Sequence, residues 1–220
     1  MTHAAGSPLV LLHGLGRTRF SLWPVARDAA RRGYRVHNIG YPSRRAPIEA
    51  LARDVAARIE PLLAGSRFDV VTHSMGGIVL RAAVASGALP ADWVRRVVML
   101  GPPNHGSEVA DRLRDFLVYR LATGPAGQQI GTGADGVPHR LPPPPFELGV
   151  IAGTRSHNPV FSRLLGGEGD GKVTVESARL EGMRDLAVVA RSHTFLMWAP
   201  EVLAHIFEFL EHGRFVANRA

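Results

Sequence analysis

The 220-residue sequence contains no cysteine and no long hydrophobic run. Without cysteine sulfur, disulfide bonds and thiolate metal sites are excluded. No apolar run approaches the roughly 18–20 residues that a membrane-spanning helix needs. The amino-terminal residues also lack the basic leader and apolar core of a signal peptide. These absences predict a cytoplasmic protein, and a chain of this length is expected to form one domain over residues 1–220.

Lysine is nearly absent as well. Lys172 is the one lysine among 26 basic residues, and the formal net charge is +7. An excess of positive charge is a feature of nucleic-acid-binding proteins. Here, however, the arginines are scattered through an alanine-rich chain, and no aromatic residues alternate with a basic stripe. We attribute the arginine excess to codon bias, and we predict no nucleic-acid partner.

Short apolar runs alternate with longer amphipathic segments along the chain. We predict strands over 8–14, 35–41, 68–74, 95–103, 147–154 and 185–192. We predict helices over 21–33, 46–65, 75–87 and 199–213. Strands that are apolar throughout are typical of sheets covered on both faces, and intervening helices favour parallel pairing. The predicted fold is therefore a three-layer α/β/α sandwich around a mostly parallel six-stranded sheet.

Residues 104–146 interrupt this alternation, because they separate two predicted strands by more than a crossover needs. The segment begins with a helix-like stretch at 107–122 and becomes rich in glycine and proline. We interpret it as a small cap or rim insertion, since long connections inside a domain are commonly functional. Its apolar stripe has two interpretations, either a lid over a pocket or lipid surface, or ordinary packing on the domain. The stripe comprises Val109, Leu113, Phe116 and Leu117.

Ser74 stands where a predicted strand gives way to a predicted helix, in the stretch THSMGG. A serine at a sharp strand–turn–helix junction is typical of a nucleophile elbow, in which small neighbours allow close packing. Gly76 is such a neighbour two positions after the serine, whereas Thr72 stands where glycine is usual two positions before it. The alternative is a glycine-rich turn with an incidental serine.

The stretch HGLGRT, residues 13–18, directly follows the first predicted strand. A hydrolase stabilises the developing oxyanion with backbone N–H groups, one from such a loop and one from the residue after the nucleophile. Leu15 and Met75 are therefore the predicted oxyanion-hole donors, and the helix that begins at Met75 favours an anion through its dipole. We interpret His13 and Arg17 as residues that hold the loop. The alternative is a plain strand–loop–helix turn.

A serine hydroxyl needs a base that takes its proton and an acid that orients the base. His193 lies just past the last predicted strand, where a loop returns over the carboxyl edge of the sheet, and is the predicted base. Asp170 lies between the serine and the histidine in chain order, in a glycine-rich loop, and is the predicted acid. Three other carboxylates are rivals for the role of the acid: Glu168, Glu176 and Asp185.

Two further histidines lie near predicted strand ends. His73 adjoins Ser74, but neighbouring side chains of a strand point to opposite faces, so it is not expected to be the base. We interpret His105 as a surface or loop residue, with a place at the lining of the site as the alternative.

The motifs HGLGR, HSMGG, PPNHGS, DGKV and SHTFL follow one another in this order, and the sequence resembles α/β-hydrolases of the bacterial lipase and esterase kind. The resemblance covers nearly the whole chain. It implies Ser74 as nucleophile, Asp170 as acid and His193 as base, with the two amides named above as the oxyanion hole. Because the oxyanion loop comes so early, we expect the chain to lack the first strands of larger members, as compact lipases do. The resemblance implies no metal and no organic cofactor.

Apolar residues near the oxyanion loop and after the predicted base are expected to bind substrate: Phe20, Trp23, Phe195 and Met197. Such a wall suits an acyl chain or a hydrophobic ester, and the alternative is that most of these residues belong to the core. The predicted function is hydrolysis of carboxylic esters through an acyl-enzyme. The alternatives are an acyltransferase, thioesterase or amidase with the same triad, and a non-catalytic binding module. The predicted partners are a small-molecule or lipid ester and, transiently, a lipid interface.

Overall fold

Six strands form one sheet in which every neighbouring pair is parallel. A computed structural model describes residues 6–156 and 165–217 of the chain. The strands are β1 (Pro8–Leu12), β2 (Arg35–Ile39), β3 (Phe68–His73), β4 (Val94–Leu100), β5 (Glu147–Gly153) and β6 (Asp185–Val189). They lie in the order β2-β1-β3-β4-β5-β6, so all six predicted strands are present.

Helices cover both faces of this sheet. In the described ranges they are α1 (Trp23–Arg31), α2 (Ile48–Leu63), α3 (Met75–Ala85), α4 (Glu108–Leu113), α5 (Leu117–Gln128), α6 (Val137–Arg140), α7 (Val175–Ala178) and α8 (Pro200–His212). Short 3-10 turns occupy Arg19–Leu22, Ala91–Trp93 and Leu196–Trp198. Helices α2 and α3 pack on one face, and α1 and α8 on the other. The predicted α/β/α sandwich is thereby confirmed. Within the described residues no helix has the length and apolar content to cross a membrane.

The alternation of side chains along the strands divides the core in two. On β1, Val10 and Leu12 belong to the cluster on the α2 and α3 face, whereas Leu9 and Leu11 belong to the cluster on the opposite face. All four side chains are fully buried, and each such burial contributes about 1.5–3 kcal/mol. Burial on both faces explains why the strands are apolar throughout. The buried sheet also holds in place the strand ends from which the loops at its carboxyl edge begin.

The connection between β4 and β5 contains α4, α5 and α6 and corresponds to the predicted insertion. The helix-like stretch at 107–122 is not one helix, because Phe116 has an extended backbone (φ −77°, ψ 126°) between α4 and α5. This break divides the predicted apolar stripe. Val109 is buried, whereas Phe116 and Leu117 are 62% and 68% exposed.

Arg81 on α3 ties the two ends of this insertion to the body of the protein. Its side chain is buried and donates hydrogen bonds to Oδ1 of Asn104 at 3.2 Å and to the carbonyl oxygen of Leu141 at 3.0 Å. Asn104 in turn donates to the carbonyl oxygen of Ala178 at 2.8 Å. Burial lowers the pKa of Arg81 to about 10, which leaves it charged at neutral pH. The buried cation therefore stabilises the insertion through oxygen acceptors at both of its ends.

Candidate active site

Ser74 occupies a sharp turn between β3 and α3. Its φ of 55° and ψ of −129° make it the one residue other than glycine with a positive φ in the described part of the chain. Such a conformation costs on the order of 1–3 kcal/mol and persists where surrounding contacts hold it. One of these contacts is the hydrogen bond from the Ser74 N–H to the carbonyl oxygen of Leu100, at 2.8 Å. The strained strand–turn–helix junction has the geometry of a nucleophile elbow.

Small residues around Ser74 make this turn possible. A Cβ atom on Gly76 would lie 2.6 Å from a backbone carbonyl oxygen of β1, and one on Gly14 would lie 2.9 Å from the Cβ of Ser74. Thr72, which stands where glycine is usual, is fully buried. It faces Gly77, where an added Cβ would lie 3.2 Å from the Thr72 Oγ1. The missing side chain at Gly77 therefore makes room for the threonine.

Asp170 and His193 form a buried pair. Oδ2 of Asp170 lies 2.7 Å from Nδ1 of His193, and neither side chain is more than 5% exposed. Oδ1 of Asp170 accepts hydrogen bonds from the backbone amides of Lys172 at 3.0 Å and Val173 at 2.9 Å. The His193 N–H also donates to the Asp170 carbonyl oxygen at 3.0 Å. The ring is thereby oriented with Nδ1–H towards the carboxylate, so Nε2 is the nitrogen that can exchange a proton.

Two glycines that the sequence analysis missed keep space for this pair. Gly101, directly after β4, has a φ of 54°, and a Cβ there would lie 2.9 Å from Oδ2 of Asp170 and 3.1 Å from Nδ1 of His193. A Cβ on Gly153, at the end of β5, would lie 2.9 Å from the Cβ of Asp170. The available signal was a glycine near the end of each of two predicted strands. That signal alone does not reveal which distant side chain approaches.

His73 also belongs to this site, although not as the base. Its Nε2 donates a hydrogen bond to the carbonyl oxygen of His193 at 3.0 Å, and the two ring centroids lie 4.8 Å apart. Burial, followed by the charge on His193, holds the pKa of His73 well below its usual value. The ring is therefore neutral, and it supports the backbone of the predicted base.

His13 holds the loop that follows β1. Its Nδ1–H donates to the carbonyl oxygen of Gly14 at 2.9 Å, and its Nε2 accepts from the Tyr41 amide at 3.3 Å. The His13 ring stacks on Tyr41 with 4.3 Å between centroids, and the Tyr41 hydroxyl donates to the His13 carbonyl oxygen. Burial lowers the pKa of His13, so the neutral ring can donate at one nitrogen and accept at the other. These contacts agree with the structural role expected from the sequence.

Leu15 and Met75, the predicted oxyanion-hole residues, flank Ser74. Leu15 lines the same cavity as Ser74, and Met75 is the first residue of α3. Neither backbone N–H donates to another residue in the described ranges. The first amides of a helix have no partner within the helix, which leaves them able to bind an anion. The oxyanion role of the two amides stays a prediction.

Ser74 and His193 line one cavity of about 230 Å³. The insertion provides most of its apolar wall, through Val109, Leu113, Tyr119, Ala122 and Ile130. The loop after β1 and the loop that carries the buried acid provide two cations, Arg17 and Lys172. The cavity is therefore apolar on the insertion side and positively charged on the side of these two loops. Arg17, which we expected to hold its loop, is one of the residues that line the cavity.

The structure does not bring Phe20 and Trp23 to this cavity. Phe20 is 69% exposed and borders a separate open groove of about 580 Å³ near β2. Trp23 is 48% exposed, and the guanidinium of Arg27 lies 4.9 Å from its ring centroid. Both residues lie in the turn and helix that follow the oxyanion loop, and this part of the chain leads away from Ser74.

Phe195 and Met197 also lie outside the cavity. Phe195 is 53% exposed and borders a third groove, whereas Met197 is fully buried in the core on the α1 and α8 face. The 3-10 turn Leu196–Trp198 directs Met197 into that core. The apolar wall beside Ser74 comes from the insertion instead, which is a correction to the four predicted substrate-binding residues.

The rival carboxylates lie away from His193. Glu168 and Glu176 are exposed, and Glu176 pairs with Arg179 at 3.3 Å. Asp185 begins β6, at the opposite edge of the sheet from the site, and accepts from the amide of Phe215. The exposed His105 lies near His139 rather than along the cavity, with ring centroids 5.7 Å apart. Among the described residues, no group of three His, Cys, Asp or Glu side chains could hold a metal ion.

Solved structures share this arrangement of strands and helices. A lipase from Bacillus licheniformis, BlEst2 in its mature form, is 23% identical over 90% of this chain and 89% of that chain, with a TM-score of 0.73. The metagenomic carboxyl esterase MGS0156 is 19% identical over 89% of this chain and 67% of that chain, with a TM-score of 0.71. An extracellular α/β-hydrolase from a Paenibacillus species is 16% identical over 93% and 98%, with a TM-score of 0.61. At these identities the likeness establishes the fold, which is that of the α/β-hydrolases.

Within this fold the chain has a defined family. The model of the family described as a domain of unknown function, DUF7379, matches residues 2–127, and the chain belongs to that family. The matched range contains the oxyanion loop and Ser74 but ends before Asp170 and His193. No curated protein sequence matches the chain significantly.

Proposed function

We propose that this protein is a serine hydrolase that cleaves carboxylic esters. The observation that carries the proposal is the buried Asp170–His193 pair, at 2.7 Å, whose histidine lines the same cavity as Ser74 on its strained turn. A nucleophile and a base that share a cavity, with an acid bonded to the base, are the parts that acyl transfer to serine needs. The names of two structural neighbours, a lipase and a carboxyl esterase, support esters as the substrate class.

The proposed reaction begins when Oγ of Ser74 attacks the ester carbonyl and transfers its proton to Nε2 of His193. The negative charge that develops on the carbonyl oxygen is stabilised by the N–H groups of Leu15 and Met75. Asp170 keeps Nδ1–H of the imidazole in place and stabilises the imidazolium. The imidazolium then protonates the departing alcohol, and the acyl group remains on the serine. Water, activated by the same histidine, releases the acid and restores the enzyme.

The apolar side of the cavity supports an acyl chain as the part of the substrate that the insertion contacts. Val109 and Leu113 on α4 and Ala122 on α5 form this side. A volume of about 230 Å³ is small for a ligand pocket, which favours short or medium chains over long ones unless the chain extends beyond the opening.

Hydrolysis of p-nitrophenyl esters from acetyl to palmitoyl tests this proposal. We expect wild-type turnover with an optimum at short or medium acyl chains, and a loss of at least about a thousandfold in kcat for Ser74→Ala. Ser86→Ala is the matched control, because Ser86 is exposed at the other end of α3. Circular dichroism of all three proteins verifies that they are folded.

Two outcomes would contradict the proposal. Equal activity of wild type and Ser74→Ala would show that Ser74 is not the nucleophile. No turnover of any chain length by folded wild type would rule out simple ester hydrolysis. Thioester, amide and acyl-transfer substrates would then be assayed, because the same three residues could serve those reactions.

A further inference from the structure

Two cations line the cavity beside Ser74 without a carboxylate partner. Arg17 lies in the oxyanion loop, and Lys172, the one lysine of the chain, follows the predicted acid by two positions. No ion pair joins either side chain to a carboxylate among the described residues. Among the described residues, no aspartate or glutamate lines the cavity. The nearest carboxylate in the loop, Asp170, is already bonded to His193 and to two backbone amides.

Two partly buried arginines elsewhere in the described residues pair with acids. Arg95 pairs with the buried Asp69, and Arg96 pairs with Glu147 at 2.6 Å. Neither cation beside Ser74 has such a partner among the described residues. A positive site without its own counter-charge, in a position where a ligand must enter, is suited to bind an anion.

The direction of the pKa shift of Lys172 agrees with an anion-binding role for the two cations. Lys172 retains contact with solvent, but protein atoms around its ammonium group lower its pKa, and the charge of Arg17 lowers it further. Asp170 acts in the opposite direction and compensates only in part. An anion bound between the two cations would relieve this repulsion and favour the charged form of the lysine.

We propose that the ester substrate carries a negatively charged group, a carboxylate or a phosphate, that binds Arg17 and Lys172 while its apolar part lies against the insertion. The inference rests on the proposed ester hydrolysis, because the anionic site is defined by its place beside Ser74. The same charge could belong to the acyl part or to the alcohol part of the ester, and both are open to test. The cavity would thus select charged esters over neutral ones of equal size.

Two pairs of esters, each made of an anionic ester and its neutral counterpart, test the proposal. For the acyl part, mono-p-nitrophenyl adipate is compared with p-nitrophenyl hexanoate, which has the same chain length and leaving group. For the alcohol part, 1-butyrylglycerol 3-phosphate is compared with 1-butyrylglycerol. We expect wild-type kcat/KM to be at least about tenfold higher for the anionic member of one pair, which corresponds to about 1.4 kcal/mol. High salt should reduce this ratio, because it screens the attraction.

Three variants and one control test whether the ratio of kcat/KM between anionic and neutral esters depends on Arg17 and Lys172. In Arg17→Gln/Lys172→Gln the ratio should fall to about one, whereas Arg17→Lys should retain part of it because the charge remains. Lys172→Gln alone should give an intermediate ratio. This variant leaves Asp170 undisturbed, because the hydrogen bond between the two residues comes from the backbone amide of residue 172. Arg67→Gln is the control, since Arg67 is exposed and precedes β3 at the opposite edge of the sheet.

The outcomes separate this inference from the proposed function. Ser74-dependent turnover with equal rates for charged and neutral esters would overturn the inference and leave ester hydrolysis standing. A preference that persists in the double variant would overturn it as well. If the double variant lost kcat/KM equally on both members of a pair, the two cations would act on the oxyanion that all esters share. This outcome would also overturn the inference. No turnover of any of the four esters would overturn both proposals.

Discussion

His73 donates a hydrogen bond from Nε2 to the carbonyl oxygen of His193, at 3.0 Å, across 120 residues of sequence. The residue before the predicted nucleophile thus supports the backbone of the predicted base. Because β3 also carries Ser74 into its turn, one strand end positions two of the three proposed catalytic residues.

His73→Phe should therefore impair catalysis without removing a reacting group. We expect kcat to fall about tenfold to a hundredfold with little change in KM, since a small displacement of the base has effects of this size. His73→Gln should recover part of the activity, because its side-chain amide can donate to the same carbonyl oxygen. Steady-state kinetics on a soluble ester measure this. If both variants retained wild-type kcat, His73 would have no positioning role.

The buried histidines should make the protein less stable in mild acid. Burial lowers the pKa of His13 and His73 in the folded protein, whereas an unfolded histidine titrates near about 6.5. Below that pH the unfolded chain binds protons that the folded protein does not, so the free energy of unfolding falls as pH falls. We expect Tm to decrease from about pH 7.5 to about pH 5, with a smaller decrease in His73→Gln. A Tm that is constant or rises over this interval would contradict the prediction.

Gly101→Ala should damage the active site more than the fold. The new Cβ would lie 2.9 Å from Oδ2 of Asp170 and 3.1 Å from Nδ1 of His193, so it would push the pair apart. Gly33→Ala is a matched control, because Gly33 also has a positive φ, of 85°, but no atom lies within 4 Å of the added Cβ. Both variants should lose on the order of 1 kcal/mol of stability from backbone strain.

Only Gly101→Ala should also lose ester hydrolysis, by about a hundredfold or more. Thermal unfolding and kcat/KM of the two variants separate these effects. If Gly101→Ala and Gly33→Ala were equally active, the Asp170–His193 pair would tolerate the added methyl group at residue 101.

The sequence was sufficient to predict those parts of the site that depend on local pattern. A β-branched run followed by Ser74 and two glycines predicts a strand–turn–helix junction, because the signal lies within a few residues. The chain order of Asp170 and His193 relative to the strands was enough to predict that both lie at the carboxyl edge. The structure brings these two residues into contact, and it places Ser74 in the cavity that His193 lines.

The parts that could not be predicted depend on contacts between distant segments. The role of Gly101 follows from its approach to two side chains that lie far along the chain. The apolar wall was predicted from residues that follow the oxyanion loop and the predicted base, but Met197 points into the core and the insertion provides the wall. The break at Phe116 has no strong sequence signal, since neither proline nor glycine marks it.

Asp170→Asn should reduce activity while leaving the fold intact. An asparagine can still accept from the amides of Lys172 and Val173, but it no longer holds the His193 ring in the tautomer that accepts a proton at Nε2. We expect kcat to fall by about a hundredfold to ten-thousandfold with Tm changed by only a few degrees. Glu168→Gln is the control, because Glu168 is an exposed acid in the same loop. If Glu168→Gln lost as much activity as Asp170→Asn, the assignment of the acid would be wrong.

Helix α5 has one face on the cavity and another in solvent, and this arrangement predicts a response to lipid surfaces. Tyr119 and Ala122 line the cavity, whereas Leu117 and Leu121 are 68% and 74% exposed. Exposed apolar residues grouped on one element are typical of an interaction surface. Because this helix forms part of the cavity wall, a lipid surface that binds its outer face would present esters directly to the opening.

The exposed face of α5 should therefore matter for esters in anionic vesicles and not for dissolved esters. We expect Leu117→Ser/Leu121→Ser to lower turnover of a vesicle-borne ester at least about threefold and to leave turnover of a dissolved short-chain ester unchanged, since the substitutions remove apolar area from the contact. Leu62→Ser is the matched control, because Leu62 is also an exposed leucine, at 49%, but lies on α2 beside a different groove. An equal loss on both forms of substrate would mean that the two leucines stabilise the cavity wall, and no loss on either would mean that α5 does not contact the lipid.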